Sequence, residues 1–230
     1  LAMTAAGVAA AEETKQPSAA ERASSVFAKA DRQLEQRLDL ARQLLALERY
    51  SEAVQLLDSL LEAPEDYFLP NKRSNSSAGL KTEAQRLLGS MPRRGREFYE
   101  LQYGAQARRM LADAAAAGNP KGLAEVSRRF FHTQAGYEAT LLLGMHHLDN
   151  GSPLAAALTL KRLADVPWAA QRFEPGLSVA MAAAWVWAGM PEKAEEALQA
   201  VRARFPRGSF QVAGEETALA GDPTRIIGAN

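Results

Sequence analysis

"NGSPLAAALTLKRLADVP", residues 150–167, and "AGMPEKAEEALQAVRARFP", residues 188–206, are written on one plan. Each opens on a glycine (Gly151, Gly189), sets an alanine five residues later (Ala156, Ala194) and continues with apolar residues three apart (Leu160 and Leu163; Leu198 and Val201). Each then reaches a proline (Pro167, Pro206). Apolar residues at three- and four-residue spacing line one face of a helix. Glycine tolerates the left-handed backbone of a turn, and proline ends the helix. Neither stretch holds a cluster of reactive side chains, so the repetition reads as a scaffold.

The segments in front of each stretch complete the unit. "YEATLLLGMHHLDNG" pairs with the first and "LSVAMAAAWVWAGM" with the second, giving two helical hairpins. Upstream, Leu34, Leu38, Ala41, Leu44 and Leu45 form one apolar stripe and Ala53, Leu56, Leu57, Leu60 and Leu61 another. A break at Glu48 to Tyr50 separates them, and Pro64 stops the second. A further hairpin runs through "REFYELQYGAQARRMLADAAAA" to the turn Gly118-Asn119-Pro120 and back along "KGLAEVSRRFF". Between these two lie a loop over 67–79, rich in Pro, Asn, Ser and Gly, and a helix over Leu80 to Leu88. Asn75-Ser76-Ser77 matches a glycosylation sequon, a three-residue pattern common by chance. After Pro206 the helical periodicity ends, with a short strand expected at Phe210 to Val212.

Composition agrees with an all-α chain. The 230 residues are 7% aromatic, and Lys+Arg equal Asp+Glu at 27 each. Helix formers without many aromatics favour helices over a sandwich or barrel. A neutral total argues against a nucleic-acid binder, which carries excess positive charge. With no cysteine, disulfides, thiol catalysis and cysteine-ligated zinc are excluded. The chain begins "LAMTAAGVAAAEETKQ", whose small residues resemble the end of a secretory signal cleaved near Ala9 to Ala11. No stretch reaches the ~18 apolar residues of a membrane span.

The hairpins resemble the tetratricopeptide repeat, a helix–turn–helix with a small residue at the helix crossing, Gly at the turn, Ala in the second helix and Pro at the end. The fourth hairpin carries Met181-Ala182, Trp185, Gly189, Ala194, Leu198, Val201 and Pro206 at these positions. The third carries Leu143-Gly144, His147, Gly151, Ala156, Leu160, Leu163 and Pro167, and the first Leu40-Ala41, Leu44, Tyr50, Ala53, Leu57, Leu60 and Pro64. The second fits less well. Leu111-Ala112 and Ala124 match, but Arg128 replaces an apolar residue and Gly136 stands where Pro belongs. The resemblance implies a right-handed α-solenoid of about four helix–turn–helix hairpins.

A wider resemblance, carried by "LLEAPEDYFLP", "LKTEAQRLLGSMP", "GREFYELQYGAQARRML" and "FFHTQAGYEATLLLGMHHLDNGSPLAAALTLKRL", is to the N-terminal helical region of exported planctomycete-type proteins. Those continue into a pyrroloquinoline-quinone-like β-propeller. It implies a periplasmic or envelope location and a propeller beyond Asn230. The expected organisation is a signal-peptide remnant at 1–11, a linker and lead-in helix at 12–30 and a repeat domain at 31–209. A linker, or the start of a following domain, occupies 210–230.

Candidates for chemistry are few. His146 and His147 diverge by about 100° on a helix and lack an HExxH frame, while His132 stands apart. No phosphate-binding loop or nucleophile elbow is present. No catalytic residue, cofactor or metal is expected. Trp185 and Trp187 diverge by about 200°: Trp185 belongs in the core, and Trp187 faces either a groove or the C-terminal tail. Residues 48–66 hold six acids against one arginine, and 93–131 hold eight bases against four acids. The two runs read as surfaces that attract each other along the array, or as a bipolar surface steering a partner.

In tetratricopeptide repeats the first helices line a concave groove. Carried onto matching positions, that implicates Glu35, Leu38 and Arg42, then Gln106, Arg109 and Asp113, then Glu138, Met145 and Asp149, and finally Trp187. The Lys/Asn pattern with which family members clamp a terminal carboxylate is absent from these positions. The expected function is a non-catalytic scaffold docking a protein or peptide partner, its own C-terminal domain included. The alternatives are a spacer or substrate-positioning arm of an enzyme whose catalytic part lies beyond Asn230, or a self-associating module.

Overall fold

The computed structural model describes residues 32–63, 65–69, 78–206, 209–212 and 215–218. The readings of 1–30, of Pro64 and of the sequon at Asn75 lie outside these residues. Among them the chain forms ten α-helices that pack in sequence as adjacent pairs. In chain order they are α1 (Arg32–Ala46), α2 (Tyr50–Leu61), α3 (Leu80–Ser90), α4 (Arg93–Ala116), α5 (Pro120–Arg129), α6 (Gln134–Asp149), α7 (Pro153–Ala164), the single turn α8 (Pro167–Ala170), α9 (Gly176–Trp187) and α10 (Pro191–Arg204). Two small antiparallel pairs accompany them. β1 (Phe68–Leu69) meets β2 (Ala78–Gly79), and β3 (Ser209–Val212) meets β4 (Glu215–Ala218).

The pairs α1/α2, α4/α5, α6/α7 and α9/α10 are the four expected hairpins. Three of their turns use glycine at positive φ: Gly118 (55°), Gly151 (65°) and Gly189 (76°). The first turn reaches the same region with Glu48, at φ 57°. Helix starts are also set locally. Proline occupies the first turn of α5, α7, α8 and α10, where its missing N–H costs nothing. Asn119 caps α5 by accepting from the N–H groups of Lys121 and Gly122, and Thr133 caps α6 through Gly136 N.

The repeat-defining residues of the last two hairpins pack as expected: Ala156, Leu160, Leu163, Ala182, Ala194 and Leu198 are fully buried. At the α6/α7 crossing, a methyl group on Gly144 would lie 2.5 Å from Leu160 Cδ2, so any larger residue would force the buried Leu160 side chain to shift. Two expectations need correction. Leu40, the large residue of the Leu40-Ala41 pair, is 46% exposed, while Ala41 packs at the crossing as expected. Pro167, read as a stop, begins α8 and a 3-10 turn (Gln171–Phe173) that together bridge α7 to α9. Helix α3 is inserted between the first two hairpins and packs on α1 and α2.

The core has two parts. One gathers residues of α1–α5 and takes Phe130, Ala135 and Ala139; the other gathers α7–α10 and takes Phe131, Tyr137 and Leu148. Helix α6 therefore serves both, one through each flank. Its apolar residues do not concentrate on a single face because it has two faces to fill.

Candidate interaction surface

The candidate residues fall in two places. Glu35, Leu38 and Arg42 lie on α1, whose neighbours are α2 and α3; the rest lie on α4, α6 and α9, where α4 packs on α6 and α6 on α9. The inserted α3 is the reason. Leu38 is 1% exposed and belongs to the core, so it is a packing residue and no part of an accessible groove. Arg42 is an internal tie: it reaches Asp39 and, across to α3, Glu83, both at 2.7 Å. Arg86 also donates to Glu83, and these bonds, Arg86's first, hold the Glu83 carboxyl down at about 2. Glu35, on the same helix as Arg42, is partly buried.

On the second group the chain keeps its side chains in solvent. Glu138, Leu142, Met145 and Asp149 follow one another at helical spacing along α6, and all four are exposed. They run opposite Thr140 and Gly144, which face the core. Arg109 and Asp113 are exposed on neighbouring α4, with Gln106 partly buried. Trp187 is 52% exposed at the end of α9, whereas Trp185 is buried with the Lys193 ammonium over its ring at 4.6 Å. The two tryptophans thus separate as their angular spacing requires. Leu142 has the same exposed, apolar character as Met145, and its four-residue step from Glu138 was the available signal for it.

The acidic and basic runs meet, as the first of the two charge readings expects. Arg129 on α5 donates to both carboxylate oxygens of Asp58 on α2, at 3.1 and 2.9 Å, and reaches Glu62 at 2.5 Å. The Asp58 pair is almost wholly removed from solvent, with side chains 14% and 8% exposed. Tyr99 donates to Arg129 O at 3.2 Å. Burial, more than the nearby Asp58 carboxylate, pushes the Tyr103 hydroxyl up to about 12. A second buried polar contact, Ser127 Oγ to Thr140 Oγ1 at 2.7 Å, ties α5 to α6, with Thr140 donating on to Gly136 O.

His132 sits edge-on to Phe131 and Tyr137, with Nε2 at 3.0 Å from Gln85 O. Burial, assisted by the Arg162 and Arg96 cations, lowers its pKa to about 4 and keeps it neutral. His146 and His147 are partly buried on α6 with ring centroids 6.2 Å apart. Among the described residues no three His, Asp or Glu side chains gather at a metal-binding spacing, and no helix is long and apolar enough to cross a membrane. Sequence reasoning passed over Trp168, which is 51% exposed on α8 with the Arg96 guanidinium 4.3 Å over its ring. Its only cue was the Pro167-Trp168 pair. Comparison of the chain with protein-family models, curated proteins and solved structures finds no match.

Proposed function

We propose that this chain is a non-catalytic interaction scaffold, a tetratricopeptide-like right-handed α-solenoid whose first helices dock a protein or peptide segment. The reading is supported above all by the exposed stripe Glu138-Leu142-Met145-Asp149 on α6. Two apolar side chains flanked by carboxylates lie in solvent on a helix whose other flanks are fully used by two cores. Apolar residues in this setting gain free energy only when a partner covers them. Arg109 on α4 and Trp187 on α9 extend the surface to the neighbouring helices. An extended segment with apolar anchors and basic flanks suits it. Placement in the bacterial envelope ahead of a β-propeller is the part of the proposal that rests on sequence resemblance alone.

The test is a peptide-display selection on the full chain, followed by titration of the selected peptides. Met145→Asp and Trp187→Ala should each weaken them at least tenfold with unchanged circular dichroism, and Leu154→Asp on α7 should not. Peptides that bind all variants equally would sink the assignment. A concentration-dependent dimer lost in Met145→Asp would identify the surface as self-association instead.

A further inference from the structure

A cavity of about 690 Å³ opens where the end of α2 and the start of α3 meet α5 and α7. This is within the usual range for small-ligand sites, and none of these helices contributes to the α6 stripe. Its wall carries the cations Lys81, Arg128 and Arg162 and the acids Glu62 and Asp66. Most of these charges are already engaged. Glu62 takes Arg129. Arg128 holds Glu125 with Nη2 at 2.7 and 2.8 Å and reaches Leu61 O at 3.1 Å. Asp66 accepts from Lys81 N at 3.0 Å, and Lys81 Nζ donates to Ala63 O.

Arg162 differs from the rest. It is partly buried on α7, yet its one hydrogen bond among the described residues is Nη1 to Ser127 O at 3.2 Å, and its guanidinium lies 3.8 Å over the Phe131 ring. Among the described residues no carboxylate pairs with it. Residues 70–77, between β1 and β2 in the chain, contain Lys72 and Arg73 and no acid. Desolvation pulls the Arg162 pKa below the ordinary arginine value, with no anion acting the other way. Lys81, which also lines the cavity, is lowered too, first by burial and then by Arg128, against the opposing pull of Asp66 and Glu125. A cation withdrawn from water without a counter-charge is a net cost to the fold, whereas a guanidinium fork with free N–H groups matches an oxyanion.

We propose that this cavity is an oxyanion site, in which Arg162 and Lys81 receive the carboxylate or phosphate group of a small ligand. Arg162 supplies the fork and Lys81, on a different helix of the same lining, a point charge. Phe131 stacks beneath the guanidinium and fixes its plane.

The experiment is thermal unfolding of the full chain titrated with sodium succinate and, separately, sodium phosphate, against sodium chloride at matched ionic strength to remove screening. A specific oxyanion raises Tm saturably beyond chloride, and the more effective of the two salts assigns carboxylate or phosphate chemistry. Arg162→Met should abolish the rise while leaving the ligand-free Tm unchanged or higher, and Lys81→Met should weaken the half-saturating concentration at least fivefold. The proposal is overturned if neither salt acts beyond chloride, or if the rise survives in Arg162→Met. It is equally overturned if Arg162→Met loses stability without ligand while Lys81→Met responds like wild type, because Arg162 would then be a brace for Phe131.

Discussion

Protonating His132 should destabilise this protein well above the pH at which carboxylates begin to titrate. The neutral ring donates from Nε2 to Gln85 O at 3.0 Å, and Nδ1 is buried with no partner among the described residues. A second proton would place an unpaired N–H in the core beside the Arg162 and Arg96 cations. The folded-state pKa of about 4 lies below the ordinary histidine value of 6.5. Between those values the unfolded chain binds more protons, so stability is complete above pH 6.5 and falls as pH drops toward 4. Linkage over that interval gives a loss of ~2 kcal/mol at pH 5 relative to pH 8, equivalent to about 4–8 °C in Tm for a chain of this length. His132→Phe keeps an aromatic ring against Phe131 and Tyr137 but orphans Gln85 O, so it should be less stable at pH 8 by ~1–2 kcal/mol. Its urea-unfolding free energy should then stay flat down to pH 5, where the two proteins converge. His146 and His147 are present in both and cancel in the comparison. Parallel pH profiles for wild type and variant, or an imidazole titration by NMR at or above pH 6.5, would refute the reasoning.

Removing one partner of the Asp58–Arg129 pair leaves the other charge stranded. Arg129→Met should therefore cost about 3–5 kcal/mol in urea unfolding, with most of it recovered in Asp58→Leu/Arg129→Met. A double-mutant-cycle coupling below ~0.5 kcal/mol, the level expected of the exposed Arg93–Glu97 pair, would show that Asp58 is solvated after all. Glycine substitutions on two helices should part company. A methyl group at Gly136 would sit 1.9 Å from the backbone oxygen of Phe130, so Gly136→Ala must shift the α5–α6 connection and lose ~3 kcal/mol or more. At Gly104 the obstacle is the carboxylate end of Glu100, at 2.3 Å, which can turn aside by giving up Arg108 and Gln134 N, and the helix-propensity gain of alanine offsets part of that loss, so Gly104→Ala should cost about 1 kcal/mol. Equal Tm values for the two would contradict the close approach.

The last two hairpins were legible because their information is local: a glycine turn, an alanine and leucines a helical turn apart need no distant partner to be read. What escaped was non-local. Nothing near residue 80 announces that α3 lies on α1 and α2, and that insertion is what removes Glu35, Leu38 and Arg42 from the surface shared by α4, α6 and α9. Leu38 was legible as core from its own stripe and as groove from the repeat template; burial decided for the stripe. Likewise "TLKRLADV" shows Arg162 as one more solvated charge, because the sequence cannot reveal that Phe131 and Ser127 close over it. Asp58 and Arg129 were visible as members of opposing runs, though not as each other's partner across 71 positions.

The division of α6 between two cores has a consequence for how the molecule comes apart. Ala135 and Ala139 are a wall of the N-terminal half, and Tyr137 and Leu148 a wall of the C-terminal half. Neither half can melt and leave that helix in place without presenting its neighbour's lining to water. Opening at one end of the stack is therefore felt at the other through this rod of sixteen residues, beside the Arg162–Ser127 and Arg96–Trp168 contacts that also cross between the halves. Amide hydrogens on the two sides of α6 should therefore report one common opening free energy, higher than that of the helices at either end of the stack.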